Sequence, residues 1–292
     1  MNSSVPFALP EPDQMQSALV ARLPQFPAID WVEVTTSTNA DLLERAREPS
    51  GRVLRPWLRG AHLQLQGRGR SGRTWQNRRG ANLMFSCAYD IFLPARHLPT
   101  LSPMAGLLAC EALRELLLPE HRQRLTMKWP NDLQWDFAKL AGILIETSRA
   151  GASRLSPDHH IVVIGMGVNL NDARALSRSL DRQVADWQQV CQADAGAAAA
   201  SAVDLVATVA RRWYEGLNHV TARGFDDFPQ RYAACDALAG QEVNIVDNGE
   251  TLHYGTACGI NSGGQLLLRT VNGEIPVSVG EVSVRPRPAS AS

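Results

Sequence analysis

The chain has no surplus of either charge, no closely paired cysteines and no long apolar run. Its 292 residues include 29 basic and 29 acidic side chains, whereas nucleic-acid-binding proteins usually carry a basic surplus. The five cysteines form no CxxC pair, which is typical of reduced thiols rather than of a disulfide framework. No stretch approaches the roughly 20 apolar residues of a membrane span, and residues 1–14 lack a signal-peptide pattern. We therefore expect a cytoplasmic protein without membrane association.

Several common catalytic signatures are also missing. The sequence contains no GxxxxGK[ST] phosphate loop, no HExxH and no GxSxG, and its seven histidines show no metal-ligand spacing with cysteines. The sequence therefore leaves any metal ligands unknown. A chain that is 45% hydrophobic and 20% charged is long and apolar enough to fill one large domain, or one large and one small domain.

Apolar periodicity divides the chain into two parts. It predicts strands near 31–34, 62–66, 82–89, 125–129, 140–147 and 161–168, and helices near 14–22, 102–118, 202–221 and 225–235. A further helix is predicted to begin at Thr38 and Asp41, which have capping-box spacing. Residues 172–200 have no assignment. After Gly240, five short segments separated by Asn- and Gly-rich turns predict a small β-barrel. We expect an N-terminal extension over 1–30, a large domain over 31–237 and a small domain over 238–287.

Arginine and glycine alternate in the loop over residues 67–80, which reads GRGRSGRTWQNRRG. Glycines allow close backbone approach to a ligand, and guanidinium groups bind phosphate and carboxylate in bidentate fashion. Trp75 offers a flat surface for a purine. Taken alone, the loop is equally well explained as a solvated basic loop or an RNA-binding segment. A dinucleotide-binding fingerprint is disfavoured, because no helix and no later acidic residue follow in the required places.

Three further motifs combine polar groups with element ends. KWPND over 128–132 ends a predicted strand and is followed by KLAGILIE over 139–146, so Lys139 opens the next strand. A lysine fixed at a strand end can neutralise charge that develops on phosphorus. Ser-Thr-Asn over 37–39 precedes a helix, whose N-terminus favours anions, and GMGVN over 165–169 ends an apolar strand. Each motif alone is also explained by a polar hairpin, a helix cap or a strand exit.

The order of these motifs resembles that of biotin–protein ligases over roughly residues 31–285. The resemblance implies an α+β fold, with a mixed β-sheet flanked by helices in a class II synthetase-like catalytic domain, followed by a small C-terminal SH3-like β-barrel. Two places depart from the family pattern, namely Leu65-Gln66 before the loop and Gln76-Asn77 after Trp75. About 30 residues precede Trp31, fewer than a helix-turn-helix repressor domain needs, so we expect a ligase-only member without a DNA-binding role.

The resemblance also implies the roles of individual residues. Lys139, Arg68 and Arg70 are expected to be catalytic. Ser37, Thr38, Asn39 and Gln64 are expected near biotin, and Trp75 and Asn169 at the adenine. The full set of expected substrate-binding residues is Ser37, Thr38, Asn39, Gln64, Arg68, Gly69, Arg70, Arg73, Trp75, Lys128, Asn131, Asp132, Lys139, Gly142 and Asn169.

The activity implied by the resemblance is ATP-dependent formation of biotinyl-5′-AMP, with Mg²⁺, and transfer of biotin to a lysine of a biotin carboxyl carrier protein from acetyl-CoA carboxylase or a related carboxylase. A monomer or a homodimer is expected. Three alternatives are a lipoate or octanoyl ligase, a nucleic-acid-binding module and a noncatalytic biotin sensor. Lipoate ligases lack a GRGRxGRxW loop of this form, nucleic-acid binding would weaken steeply with salt, and a sensor would not turn over ATP.

Overall fold

The computed structural model describes residues 6–48, 55–149, 155–247, 249–280 and 283–286. The helices are α1 (Pro12–Arg22), α2 (Thr38–Arg47), α3 (Leu101–Arg114), α4 (Ala173–Leu180), α5 (Trp187–Ala193), α6 (Ala195–Ala199), α7 (Ala202–Arg223) and α8 (Phe228–Ala233). The strands of the first sheet are β1 (Ala28–Thr35), β2 (Trp57–Gln64), β3 (Asn82–Phe92), β4 (Leu125–Lys128), β5 (Asp132–Trp135), β6 (Ala138–Arg149) and β7 (His159–Asn169). Those of the second are β8 (Glu242–Asp247), β9 (Glu250–Ile260), β10 (Leu266–Thr270), β11 (Gly273–Val277) and β12 (Ser283–Pro286).

The first sheet has the order β1-β2-β3-β7-β6-β5-β4. β1 and β2 are parallel, and the other neighbours are antiparallel. Helices α1, α3 and α7 cover one face, and α2 packs against β2, β3 and β7. Every residue of β7 is buried, because this central strand is covered on both faces. This burial explains the continuous apolar run at 161–168.

Helix α2 begins with a different cap from the predicted one. Ser37 is the N-cap, and its hydroxyl accepts a hydrogen bond from the Ala40 N–H at 3.5 Å. The capping box predicted for Thr38 and Asp41 is wrong, because the Asp41 carboxylate instead accepts a 2.7 Å hydrogen bond from Arg59 on the neighbouring strand β2. The helix itself is confirmed. Because Ser37 supplies the cap, the Thr38 side chain takes no part in it.

Two parts of the chain contain elements that periodicity did not predict. β5 has four residues, too few for a recognisable alternation, and it follows closely on Pro130. The unassigned segment 172–200 folds into α4, α5 and α6. The last two are capped by side chains of Asp186 and Asp194. The other differences are shifts of element ends, such as α3 ending at Arg114 rather than near 118.

The C-terminal strands form an antiparallel sheet in the order β11-β10-β9-β8-β12. Among the described strands, no ladder joins the two edge strands, β11 and β12. The sheet is therefore open, and the predicted closed barrel is wrong. The long strand β9 pairs with both β8 and β10, and the register shifts once in each of the two ladders. β12 has four residues and pairs with β8. The α+β class with a small C-terminal β unit is confirmed.

Two hydrogen bonds tie the turn between β9 and β10 to residues that flank α3 and β4. The Trp129 indole N–H donates to the Gly264 carbonyl at 2.9 Å, and the Thr100 hydroxyl donates to the Gly263 carbonyl at 2.8 Å. The domain limits at 31–237 and 238–287 stay predictions. In the part of the chain that the structure describes, no helix combines the length and apolarity needed to cross a membrane.

Candidate functional site

A cavity of about 710 Å³ lies between the ends of the central strands and the Arg/Gly loop. All the predicted binding residues except Asn169 line it. They come from the start of α2, the end of β2, the loop, and the strands β4 to β6. The residues brought together are Ser37, Thr38, Asn39, Gln64, Arg68, Gly69, Arg70, Arg73, Trp75, Lys128, Asn131, Asp132, Lys139 and Gly142.

Asn169 lies outside the cavity lining. Its buried amide donates to the carbonyls of Lys139 at 3.2 Å and Ala185 at 3.1 Å, and it accepts from Asn82 at 3.2 Å. These contacts fix the backbone at the start of β6, next to Lys139. The predicted contact between Asn169 and an adenine stays a prediction, which this location does not favour.

Buried polar groups form one end of the cavity. The Gln64 amide oxygen accepts from the Thr38 backbone N–H at 2.8 Å, and the Thr38 hydroxyl lies 2.6 Å from the Ser86 hydroxyl. Asn39 fits against Gly165, where a Cβ atom would lie 2.1 Å from the Asn39 amide oxygen. A glycine is therefore required at 165 for the Asn39 side chain to occupy this place.

The Arg/Gly loop forms a narrow hairpin over the cavity. The Trp75 N–H donates to the Gly67 carbonyl at 2.9 Å, and the Gly69 N–H donates to the Arg73 carbonyl at 2.7 Å. Asn77 fixes the hairpin to the end of β2, because its side chain exchanges hydrogen bonds of 2.9 and 3.0 Å with the backbone of Gln64. The departure from the family pattern at Asn77 thus has a clear structural use in this chain.

Trp75 packs against strands β6 and β7. A Cβ atom on Gly167 would lie 2.5 Å from the indole ring, and one on Gly142 would lie 3.2 Å from it. Both glycines therefore make room for Trp75. Its indole N–H is buried and has no hydrogen-bond partner among the described residues. The Lys139 ammonium lies 5.7 Å from the ring centroid, close enough for a cation–π contact.

The other end of the cavity is strongly cationic. Its basic side chains are Arg70, Arg73, Lys128, Lys139 and Arg182, and its carboxylates are Asp132 and Asp181. Arg68 also lines the cavity, but its guanidinium pairs with Glu146. Lys139 and Asp132 form an ion pair with 2.5 Å between Nζ and Oδ1. This excess of positive charge in a partly enclosed space favours an anionic ligand.

Arg70 connects the loop to two other parts of the molecule. Its guanidinium donates to the Asn131 side chain at 3.2 Å and to the Gly280 carbonyl of the C-terminal region. Burial lowers the pKa of Arg70, Asp132 raises it, and the neighbouring charge of Arg73 lowers it further. An arginine remains protonated in proteins despite such effects. Arg70 is therefore a fixed positive charge whose orientation is set before any ligand binds.

Several lining residues were not predicted. Phe85 and Met166 supply apolar wall, residues 180–182 approach from the end of α4, and Val284 comes from the C-terminal sheet. The apolar strands that contain Phe85 and Met166 were recognised, but periodicity alone does not show which residue faces a cavity. Residues 180–182 belong to the segment 172–200, which had no predicted structure, and Val284 lies far along the chain from the motifs, so no local signal pointed to them. Among the described residues, no cluster of three or more His, Cys, Asp or Glu side chains is arranged to hold a metal ion.

Residues 31–169 match the biotin/lipoate A/B protein ligase family, and residues 239–285 match the biotin protein ligase C terminal domain. A biotin–[acetyl-CoA-carboxylase] ligase from Paracoccus denitrificans is 32% identical over 253 residues, covering 85% of this chain and 97% of the relative. The bifunctional ligase/repressor BirA of Escherichia coli (strain K12) is 29% identical over 283 residues, covering 96% of this chain and 81% of the relative. The solved structure of the biotin protein ligase from Aquifex aeolicus in complex with biotin and ATP superposes with a TM-score of 0.69 at 25% identity, covering 90% of this chain and 100% of that one. These matches extend over most of the chain and agree with its α+β fold and its cavity. The chain therefore belongs to the biotin protein ligase family.

Proposed function

We propose that this chain joins biotin to ATP, forming biotinyl-5′-AMP and pyrophosphate, and then transfers biotin to a lysine of a carrier protein. The observation that carries the proposal is a single cavity in which a buried polar end and a cationic end meet beneath the Arg/Gly loop. Its volume of about 710 Å³ lies within the usual range of small-molecule sites. A neutral polar ring system and a polyanion would occupy opposite ends of such a site.

The polar end suits the ureido group of biotin. Thr38, Asn39 and Gln64 place hydroxyl and amide groups there, which match the donors and acceptors of a cyclic urea. Phe85 and Met166 supply apolar wall beside them, as the thioether ring and the aliphatic tail require. The biotin carboxylate would then point toward the cationic end.

The cationic end suits the phosphates of ATP. In the first step, a carboxylate oxygen of biotin attacks the α-phosphorus, a new P–O bond forms, and the bond to the leaving pyrophosphate breaks. This step needs alignment and charge stabilisation rather than a protein nucleophile. Lys139 and Arg70 offer fixed positive charges where the two anions meet. Trp75 offers a face for the adenine and a buried indole N–H without a partner.

In the second step, the neutral amine of the carrier lysine attacks the acyl carbon of the adenylate. The C–N bond forms, the bond to the AMP oxygen breaks, and the amine loses a proton. The loop over residues 67–75 lies above the cavity and would keep water from the mixed anhydride until the carrier arrives.

The cavity fits a magnesium ion held mainly by ATP rather than by a protein cage. Among the described lining residues, Asp132 and Asp181 are the carboxylates, and Mg²⁺ commonly binds through one or two carboxylates together with substrate phosphates. Asp132 is the first candidate, because it lies beside Lys139, the residue proposed to contact the phosphates, and its second oxygen would be the one offered to the ion. The ion would neutralise part of the polyphosphate charge.

The carrier is proposed to be the biotin carboxyl carrier domain of acetyl-CoA carboxylase or a related carboxylase. The name of the Paracoccus denitrificans relative supports this class of partner. A cytoplasmic location, the absence of a DNA-binding role, and a monomeric or dimeric state stay predictions. The balanced charge of 29 basic and 29 acidic residues supports the second of them.

The test is adenylate formation by the purified protein with ATP, Mg²⁺ and one acid at a time. We expect pyrophosphate release and biotinyl-5′-AMP with biotin, but not with lipoate, octanoate or an amino acid. Release with lipoate but not with biotin would show that the substrate is wrong. Tight binding of biotin without any release of pyrophosphate would show a noncatalytic biotin sensor.

A further inference from the structure

Glu146 joins two parts of the cavity although it does not line it. One carboxylate oxygen accepts a 2.8 Å hydrogen bond from the side-chain amide of Asn39, in the polar end. The other oxygen lies 3.1 Å from a guanidinium nitrogen of Arg68, in the loop. A single carboxylate on β6 therefore contacts both the pocket proposed for the biotin ring and the loop proposed to cover it.

The orientation of the Asn39 amide is fixed by its neighbours. The Ser86 hydroxyl donates to the Asn39 oxygen at 2.6 Å. Ser86 and Thr38 each have one hydroxyl proton, so in this arrangement Thr38 donates to Ser86 at 2.6 Å. The longer contact of Thr38 with the Gln64 oxygen, at 3.2 Å, is then not a second donated hydrogen bond. The Asn39 nitrogen is then left to donate to Glu146. Ser86, Thr38 and Asn39 are all buried, so this polar chain is protected from water and holds the Glu146 carboxylate in place.

The two contacts of Glu146 differ in exposure. The Asn39 contact lies on the buried side, whereas the Arg68 side chain is 42% exposed. An exposed ion pair is weaker and breaks more readily than a buried hydrogen bond. Movement of the loop would therefore break the pair with Arg68 and leave the pair with Asn39 intact. Glu146 is therefore the fixed partner of this ion pair, and Arg68 is the mobile partner.

We propose that Glu146 is a positioning residue that docks Arg68, and with it the loop over residues 67–75, onto the polar end of the cavity. The consequence of this docking rests on the proposed function: Glu146 slows the escape of biotinyl-5′-AMP from the cavity. Glu146 acts through Arg68 and is not a catalytic residue. Its removal frees the loop at Arg68, whereas Arg70 stays held by Asn131 and the Gly280 carbonyl and Lys139 is untouched.

Two measurements on the full chain test this role. For Glu146→Ala we expect biotinyl-5′-AMP to dissociate about fivefold faster, the upper end for a partly exposed ion pair, with less change in the rate of adenylate formation. Glu146→Gln keeps an acceptor for Asn39 but loses the charge, so its rate should lie between those of Glu146→Ala and the wild type. In the protein without ligand, trypsin should cleave Glu146→Ala faster after Arg68, Arg70 or Arg73.

A double-mutant cycle separates positioning from a general structural effect. If Glu146 acts through Arg68, Glu146→Ala should add nothing to the faster dissociation seen in Arg68→Ala. Glu111→Ala is the matched control, because its carboxylate is 25% exposed, as that of Glu146 is, and its arginine partner Arg231 lies in α8, away from the loop and the cavity lining. We expect Glu111→Ala to retain the adenylate as the wild type does.

The inference is overturned if Glu146→Ala retains the adenylate and resists trypsin as the wild type does, or if its effect adds fully to that of Arg68→Ala. If Glu146→Ala does not fold, Glu146→Gln decides alone, and wild-type retention then overturns the inference. A wild-type protein that forms no adenylate refutes the proposed function instead. Faster trypsin cleavage in the variant would then still support docking of the loop by Glu146.

Discussion

Trp75 lies so close to Gly167 that a single methyl group added at position 167 should displace the indole ring. A Cβ atom on Gly167 would lie 2.5, 2.6 and 2.8 Å from three atoms of the ring. Real Cβ atoms do not approach other atoms so closely, and the ring is rigid. In Gly167→Ala, Trp75 must therefore leave its position between the cavity and the sheet.

The size of the effect follows from overpacking and from stacking. Inserting a methyl group into a well-packed region costs typically about 1–3 kcal/mol of stability, and for chains of this size each kcal/mol lowers Tm by roughly 2–4 °C. Stacking of a base on an aromatic side chain contributes about 1–3 kcal/mol. Since 1.4 kcal/mol corresponds to about tenfold in affinity, we expect Gly167→Ala to weaken ATP binding about tenfold or more.

Calorimetric titration with ATP and thermal unfolding would measure both effects. Gly216→Ala is the matched control, because a Cβ atom there would lie 2.4 Å from the Leu108 side chain in the core between α3 and α7. It introduces a similar clash away from the cavity, so it should leave the affinity for ATP unchanged. Gly142→Ala should be milder than Gly167→Ala, because its contact with Trp75 is longer, at 3.2 Å.

Trp75→Ala in the Gly167→Ala background removes the ring that the new methyl group strikes. Gly167→Ala should therefore cost much less stability in the Trp75→Ala background than in the wild type, although the affinity for ATP stays low. The reasoning is refuted if Gly167→Ala binds ATP and unfolds as the wild type does. It is also refuted if the loss of stability persists in full without the Trp75 ring.

Three further predictions concern charge. Lys139→Met should slow pyrophosphate release about 10²–10³-fold, as expected when a group that stabilises transition-state charge is lost, and a rate within tenfold of the wild type would contradict this. Arg68→Gly should release the adenylate faster and biotinylate bystander lysines, as seen by mass spectrometry, whereas unchanged retention would exclude a gating role. Burial raises the pKa of Asp194, but hydrogen bonds from the Ala197 N–H and from His121 outweigh it, so the pKa lies below its usual value. The charged form then stabilises the fold above about pH 4, and this contribution is lost as the pH falls through the lowered pKa. Asp194→Asn should thus cost about 1–3 kcal/mol in urea denaturation at pH 7, and less at pH 3.

Much of the sheet could be read from the sequence, because alternation and apolar runs are local properties. The run at 161–168 predicted a buried strand, and β7 is the central strand covered on both faces. β5 and α6 were missed for a local reason as well. Their lengths, four residues in β5 and five in α6, are too short for a period to be recognised.

The lining of the cavity was also largely predicted, because its motifs lie at the ends of successive elements. A strand or helix end delivers its next residues to one edge of a sheet, so Ser37, Lys128 and Lys139 meet in one cavity. Asn169 belongs to such a motif too, but its amide turns toward the backbone of Lys139 and Ala185. The side on which a strand's last residue points depends on its partners, which spacing does not specify.

The sequence by itself determined most of the strands and helices, the order of the motifs and the chemistry of the Arg/Gly loop, because each depends on neighbouring residues. The α+β class followed from the resemblance that this order of motifs carries. Tertiary structure alone decided that the C-terminal sheet stays open, that Val284 reaches the cavity, and that Glu146 links Asn39 to Arg68. These features depend on the register between strands far apart in the chain. A shift of one residue in that register would turn Glu146 to the opposite face of the sheet, and no local pattern records it.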